Sequence, residues 1–136
     1  MVQPAFSASD FQVIAGKAKI YRHVSQGSGK AIYINFCDEC GTKLFQTFER
    51  FEGAIGVFRG TFDDPNWVEV TADNSKHIFL GIAQKETVIP AHTPAFKEHA
   101  MQSDGSPIAP IVLDAHQKIT EFLPEPSLKT RAQPKR

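Results

Sequence analysis

The stretch Phe36-Cys37-Asp38-Glu39-Cys40-Gly41-Thr42-Lys43-Leu44 decides how this chain is read. It holds both cysteines of the 136-residue sequence in a single C-x-x-C. Two thiolates at that spacing, placed at a strand end, can grip one Zn²⁺ through a tight turn. A glycine directly after the second cysteine permits the left-handed backbone that such a turn often needs. A structural zinc normally takes four protein ligands, so the pair supplies half a set. The alternative is a thiol pair that holds no metal. In a reducing compartment the spacing favours metal or redox chemistry over a structural disulfide. A thioredoxin-like redox role fits less well. Those motifs sit at a helix N-terminus, whereas Cys37 and Cys40 fall between two expected strands.

Those strands are Ala31-Ile32-Tyr33-Ile34-Asn35-Phe36, which alternates with Ile32, Ile34 and Phe36 on one face, and Lys43-Leu44-Phe45-Gln46-Thr47-Phe48. Further upstream, Lys19 to Val24 is rich in β-formers, and Ser25 to Lys30 reads as a polar hairpin loop. Phe11-Gln12-Val13-Ile14 reads as a strand ended by Gly16. Downstream, Ala54 to Arg59 returns as a strand, and Gly60 to Asn66 is a loop by its Gly, Asp, Pro and Asn content. Trp67 to Val70 is expected to be a short extended piece, and His77 to Ile82 the last clear strand. Strands at this spacing predict an antiparallel, mainly β fold rather than βαβ units. Beyond Pro90 the character changes. Pro94 to Met101 is expected to form one or two helical turns, and Gln102 to Pro110 a linker. Ile111 to Leu123 carries Ala115, Ile119, Phe122 and Leu123 at the spacing of a short amphipathic helix. The Pro-rich, basic end, Lys129 to Arg136, is expected to be disordered. The expected division is a β domain over 1–101 and a linker, short helix and tail over 102–136.

Composition narrows the function classes. Lys+Arg and Asp+Glu are both 15, so there is no basic excess of the kind that nucleic-acid binding usually requires. No apolar run reaches the length of a membrane span, and the start lacks a signal-peptide pattern, so a cytoplasmic protein without a membrane partner is expected. Phe accounts for 11 residues against a single Trp and 2 Tyr, which predicts a phenylalanine-packed core rather than a stacking platform. None of the histidines, His23, His77, His92, His99 and His116, has H-x-x-x-H spacing to another. His23 and His77 lie on expected strands and are read as facing solvent or a polar partner rather than a metal.

Four segments in order resemble one family. Phe36-Cys37-Asp38-Glu39-Cys40-Gly41-Thr42-Lys43-Leu44 resembles its F-C-x-x-C-G-[ST]-x-L segment. Arg59-Gly60-Thr61-Phe62-Asp63-Asp64-Pro65 resembles its G-[ST]-[LF]-D-D-P loop, and His77-Ile78-Phe79-Leu80 its H-I-[FW]-[VL] strand. Phe11-Gln12-Val13-Ile14-Ala15-Gly16 with Tyr21 resembles its F-x-V-x-x-G…Y lead-in. On these segments, which cover about Phe6 to Ile89, the chain resembles the glutathione-dependent formaldehyde-activating enzymes, a family that includes centromere protein V. The resemblance implies a β-tent of the Mss4-like type, zinc as cofactor, and carbon–sulfur bond formation or cleavage on adducts of glutathione with aldehydes. It also implies Cys37 and Cys40 as metal ligands, forming the second half of a structural Zn(Cys)₄ site. The family's upstream C-x-C pair and its C-[HS]-C-x-x-C catalytic cluster have no counterpart before Cys37. Either this is a natural short form or the reading frame extends upstream.

Two functions follow. One is a carbon–sulfur lyase or synthase acting on a small-molecule thiol adduct, with Arg59, Thr61, Asp63 and Asp64 as candidate substrate-binding residues. Arg59 would pair with a glutathione carboxylate, against the plainer reading of an exposed strand end. Asp63 and Asp64 would act as an acid/base pair, against the favoured reading that they cap and tether the turn. The other function is a non-catalytic zinc-knuckle or interaction module. There, two copies would complete one Cys₄ site across a two-fold axis. Without the upstream strands a sheet edge is exposed, which a homo-oligomer would cover.

Overall fold

The β-branched and aromatic residues on either side of the cysteine turn build the centre of a sheet. In the computed structural model, which describes residues 1–26 and 28–123, β3 (Ala31–Cys37) and β4 (Lys43–Phe48) pair antiparallel across that turn. β2 (Ala18–Val24) joins β3 through the expected polar loop, with Ala18 opposite Cys37 and Val24 opposite Ala31. β5 (Ala54–Val57) pairs with β4, and β1 (Ala5–Ser7) with β5, giving a five-stranded antiparallel sheet in the order β1-β5-β4-β3-β2. The described residues part into two compact units between Glu69 and Val70, and this sheet belongs to the first.

The register slips between Asn35 and Phe36, which oppose Phe45 and Lys43. Leu44 is thereby left over as a bulge, one residue before the strand pair reaches the cysteines. Such a bulge increases local twist and re-aims the strand end. Phenylalanines do the packing that the composition predicts. Phe11 lies on Phe45 at 4.8 Å between ring centroids, Phe48 meets Phe51 edge-on at 6.0 Å, and Trp67 stacks on Phe6 at 5.7 Å and takes Phe62 on edge at 5.4 Å. Ala31, Ile55 and Phe58 are buried. Ile32, Ile34 and Phe36 are only half-buried, while Asn35 on the opposite face is buried and donates its amide to the Tyr33 carbonyl. Strand alternation is thus present, but neither face is uniformly covered, since Tyr33, on the same face as Asn35, is exposed.

Three expectations within this unit need correction. Phe11 to Ile14 is not a strand. Ala5–Ser7 takes the edge of β5, a 3-10 turn over Ala8–Asp10 follows, and Val13 and Ile14 lie exposed. The strand begun at Ala54 ends at Val57, and Arg59–Thr61 closes into a 3-10 turn. Trp67 to Val70 forms no strand.

The second unit has its own core of Leu80, Ile89, Ala95, Leu113 and Ile119. β6 (Val88–Ile89) pairs antiparallel with β7 (Gln117–Lys118). The expected strand over His77 to Ile82 is broken at Phe79. Its φ of +61° ends extended backbone, and Leu80–Ile82 is a 3-10 turn. Pro94 to Met101 is not helical. Its backbone bonds back to 77–81, Ala95 bridging to both His77 and Ile111. The helix expected over Ile111 to Leu123 shrinks to α1 (Ile119–Phe122), because Ile111 and Gln117–Lys118 are used in strand-like pairing. The fold is mainly β with antiparallel sheets and one short helix near the described C-terminal end. No helix among the described residues is long and apolar enough to cross a membrane. The tail from Lys129 to Arg136 lies outside the described residues.

Candidate functional site

The bulged ends of β3 and β4 present the thiols. The Gly41 N–H donates to the Cys37 carbonyl at 2.9 Å and the Cys37 N–H to the Thr42 carbonyl at 2.9 Å, which closes the turn on both sides. Gly41 adopts φ +73°, the left-handed conformation expected after a second cysteine. Cys37 is half-buried and Cys40 exposed, and both are free. The Cys40 sulfur lies 3.1 Å from the Thr42 hydroxyl. Hydrogen bonding by Thr42, first through its side chain and then its backbone, with the nearby Cys37 side chain adding to it, holds the Cys40 thiol below its ordinary value of 9.0. The thiols therefore stand on one exposed knuckle, in range of each other, between two strands.

Zinc is the group that the sequence resemblance implies here. A structural site takes four donors, and the knuckle provides two. Among the described residues no group of three or more His, Cys, Asp and Glu side chains could hold a metal ion. The described residues of one chain therefore do not fit a complete zinc site, structural or catalytic.

Beside the knuckle opens a groove of about 630 Å³. It is lined by Met1, Val2, Thr42, Lys43, Phe58, Arg59, Gly60, Thr61, Pro65 and Asn66. Lys43 and Arg59 bring two positive charges, and no residue lining the groove is acidic. Arg59 donates its Nε to the Pro65 carbonyl at 2.8 Å, which fixes the guanidinium against the wall. Thr61 donates its hydroxyl to the Phe58 carbonyl at 2.8 Å, locking the 3-10 turn that carries Arg59. Thr42 is shared: it lines the groove and contacts the Cys40 sulfur.

Of the residues singled out from sequence, Arg59 and Thr61 lie on the groove next to the thiol knuckle. Asp63 and Asp64 are not among its lining residues. Asp64 accepts the Asn66 N–H at 2.8 Å and offers its backbone carbonyl to the Trp67 N–H at 3.2 Å, the work of a turn cap. Thr42, Lys43 and Asn66 were not singled out, although the first two stand in the decisive stretch itself. The antiparallel return of β4 was the available signal, because it brings the residues after the cysteines back beside the strand end.

Compared with known families, residues 1–81 match the model described as glutathione-dependent formaldehyde-activating enzyme. No curated protein and no solved structure shows significant similarity to the chain.

Proposed function

The chain belongs to the glutathione-dependent formaldehyde-activating enzyme family, and from that premise we propose that it binds an adduct of glutathione with an aldehyde and makes or breaks its carbon–sulfur bond. The supporting observation is the cationic groove that shares Thr42 with the thiol knuckle. Its size falls among small-molecule sites, which run about 300–1,000 Å³. Glutathione is anionic through its carboxylates, and Lys43 and Arg59 are the groups to meet them. Arg59, already held by Pro65, gives up little side-chain freedom on binding.

In the lyase direction the adduct's hydroxyl loses a proton, its oxygen forms the carbonyl, and the carbon–sulfur electron pair leaves on sulfur, which then takes up a proton. Negative charge gathers on sulfur as the bond stretches. The positive field that Lys43 and Arg59 give the groove favours that charge as it develops. The groove thus suits binding and charge stabilisation by the chain's own residues.

The test is calorimetric titration with glutathione and S-hydroxymethylglutathione, followed by ¹³C magnetisation exchange between free formaldehyde and the adduct. Binding is expected for both ligands. Arg59→Ala and Lys43→Ala should each weaken it about tenfold, the effect of losing one charge-assisted hydrogen bond worth about 1.5 kcal/mol. Exchange no faster than in buffer, with zinc supplied, removes the carbon–sulfur chemistry. A second reading, a non-catalytic module built on the knuckle, draws on the donor count of two thiols per chain, and the same exchange measurement separates the two.

A further inference from the structure

We propose that the outer edge of β2 is a docking site for an extended, acidic segment of a partner protein, which joins the sheet as a further strand. The inference is independent of what the groove binds, since no residue of β2 lines it.

The main chain of β2 is open on one side. The strand ends the sheet order, and among the described residues no strand pairs with its outer flank. In an antiparallel ladder, alternate residues turn both main-chain groups to the same neighbour. Ala31 and Cys37 of β3 turn towards β4: the Ala31 carbonyl accepts the Glu49 N–H at 3.0 Å, and the Cys37 N–H donates to the Thr42 carbonyl at 2.9 Å. Their partners in β2, Val24 and Ala18, are therefore turned away from β3, and Ile20 and Arg22 between them share that phase. The N–H and C=O groups of these residues form a free hydrogen-bonding edge.

Edge strands are usually blunted by a bulge, a proline, a covering element or charge. β2 has no proline and runs against β3 without a slip in register. All its residues but Ala18 are exposed, Ile20 at 63%, Tyr21 at 59% and Val24 at 42%. Charge is the remaining guard, and it has one sign. Between Asp10 and Asp38 the sequence holds Lys17, Lys19, Arg22 and Lys30 and no acidic residue. Lys30 is engaged by Glu49 at 3.1 Å, whereas Lys19 and Arg22 form no ion pair among the described residues.

Those cations select the occupant. A second copy of the strand would add its own Lys19 and Arg22 to the seam, and like charges across paired strands destabilise them. An acidic strand is attracted instead. Its main chain satisfies the free edge, while its carboxylates meet Arg22 on one face and Lys19 on the other. Apolar side chains of the guest cover Ile20 and Val24, which share the face of Arg22. A single nucleic-acid strand carries the right charge but has no amide pattern to match the edge.

The experiment titrates the ¹⁵N-labelled full chain with the capped peptide Val-Thr-Glu-Thr-Val-Glu-Thr, whose glutamates fall opposite Arg22 and Lys19 when it runs antiparallel. Saturable amide shifts in β2 are expected, with slowed hydrogen exchange at Ile20, Arg22 and Val24. The same peptide with lysine at both acidic positions should bind about tenfold more weakly. The double variant Lys19→Glu with Arg22→Glu should reverse that preference. Both positions are exposed, so the variant should fold, which circular dichroism checks. Absence of saturable binding overturns the proposal, as do equal affinities of the parent for the two peptides. Binding that leaves exchange at Ile20, Arg22 and Val24 unchanged overturns it too. Displacement of the peptide by a lower concentration of oligothymidylate overturns it in favour of nucleic acid. Protection of those amides before any peptide is added, at doubled mass by light scattering, overturns it in favour of a second copy.

Discussion

Gly41 is where the turn depends most on a single residue. Its φ of +73° is one that a Cβ-bearing residue adopts only at a cost, although no atom stands in the way of an added Cβ. The penalty of Gly41→Ala is therefore purely conformational, about 1 kcal/mol, and Gly41→Asn should lose less because Asn tolerates that region. Urea midpoints of the two variants check this, and equal stability of parent and alanine variant would mean the turn is not left-handed in solution. Glu49 makes a second residue-level case. One of its carboxylate oxygens accepts the Ala31 N–H at 2.8 Å and the other meets Lys30 at 3.1 Å. The Ala31 bond first, and then Lys30, lower its pKa from the ordinary 4.5. With the folded value below the unfolded one, the stabilisation is complete above about 4.5 and is lost as pH falls through the folded value. Glu49→Gln should thus lower the urea midpoint at pH 7 and leave it unchanged in strong acid. A constant deficit at every pH would show that charge plays no part.

At the scale of elements, β5 is one of the interior strands of the first unit, paired on both sides, with β1 and β4. Ile55 within it is buried at 7% exposure. Ile55→Ala should cost about 2–4 kcal/mol, the usual range for emptying a packed aliphatic site. Hydrogen exchange should show the weakening in the amides of β4 and β5, and a cost under about 0.5 kcal/mol would place Ile55 outside the core. The same elements show what could be read in advance. β2, β3, β4 and the start of β5 were legible because each is a run of β-formers bounded by polar or glycine-rich turns. Arg59 and Thr61 were legible through the motif that contains them. β1 was not, because Ala5-Phe6-Ser7 has no alternation to speak of and is a strand only by virtue of its partner in β5. Beyond residue 70 the sequence misled. Phe79 sits at positive φ against its own preference, and the apolar residues from Ile111 to Leu123 serve single bridges and a two-residue strand rather than a helix face. Lys43 was missed because the return of β4 beside the strand end was read only as a strand; the bulge between Asn35 and Phe36, which sets its final place, has no signature in a single sequence.

For the molecule as a whole, charge is balanced at pH 7, with 15 basic and 15 acidic residues. A chain without net charge lacks the repulsion that keeps copies apart, so precipitation by polyethylene glycol should be easiest near pH 7 and harder on either side. A flat solubility profile would mean that surface chemistry other than net charge controls association. Each unit gathers its own buried residues, the first beneath aromatic pairs and the second around Ile89, which is fully buried. The aromatic pairing has a practical outcome. Trp67 is the sole indole in the chain, 65% exposed, and its ring lies on Phe6 of the first strand. Its emission is consequently a local gauge of whether that N-terminal ribbon is docked. Peeling of residues 5–7 from their neighbour should shift the spectrum to longer wavelength before the rest of the sheet gives way, so fluorescence and far-ultraviolet dichroism should part company early in a denaturant series.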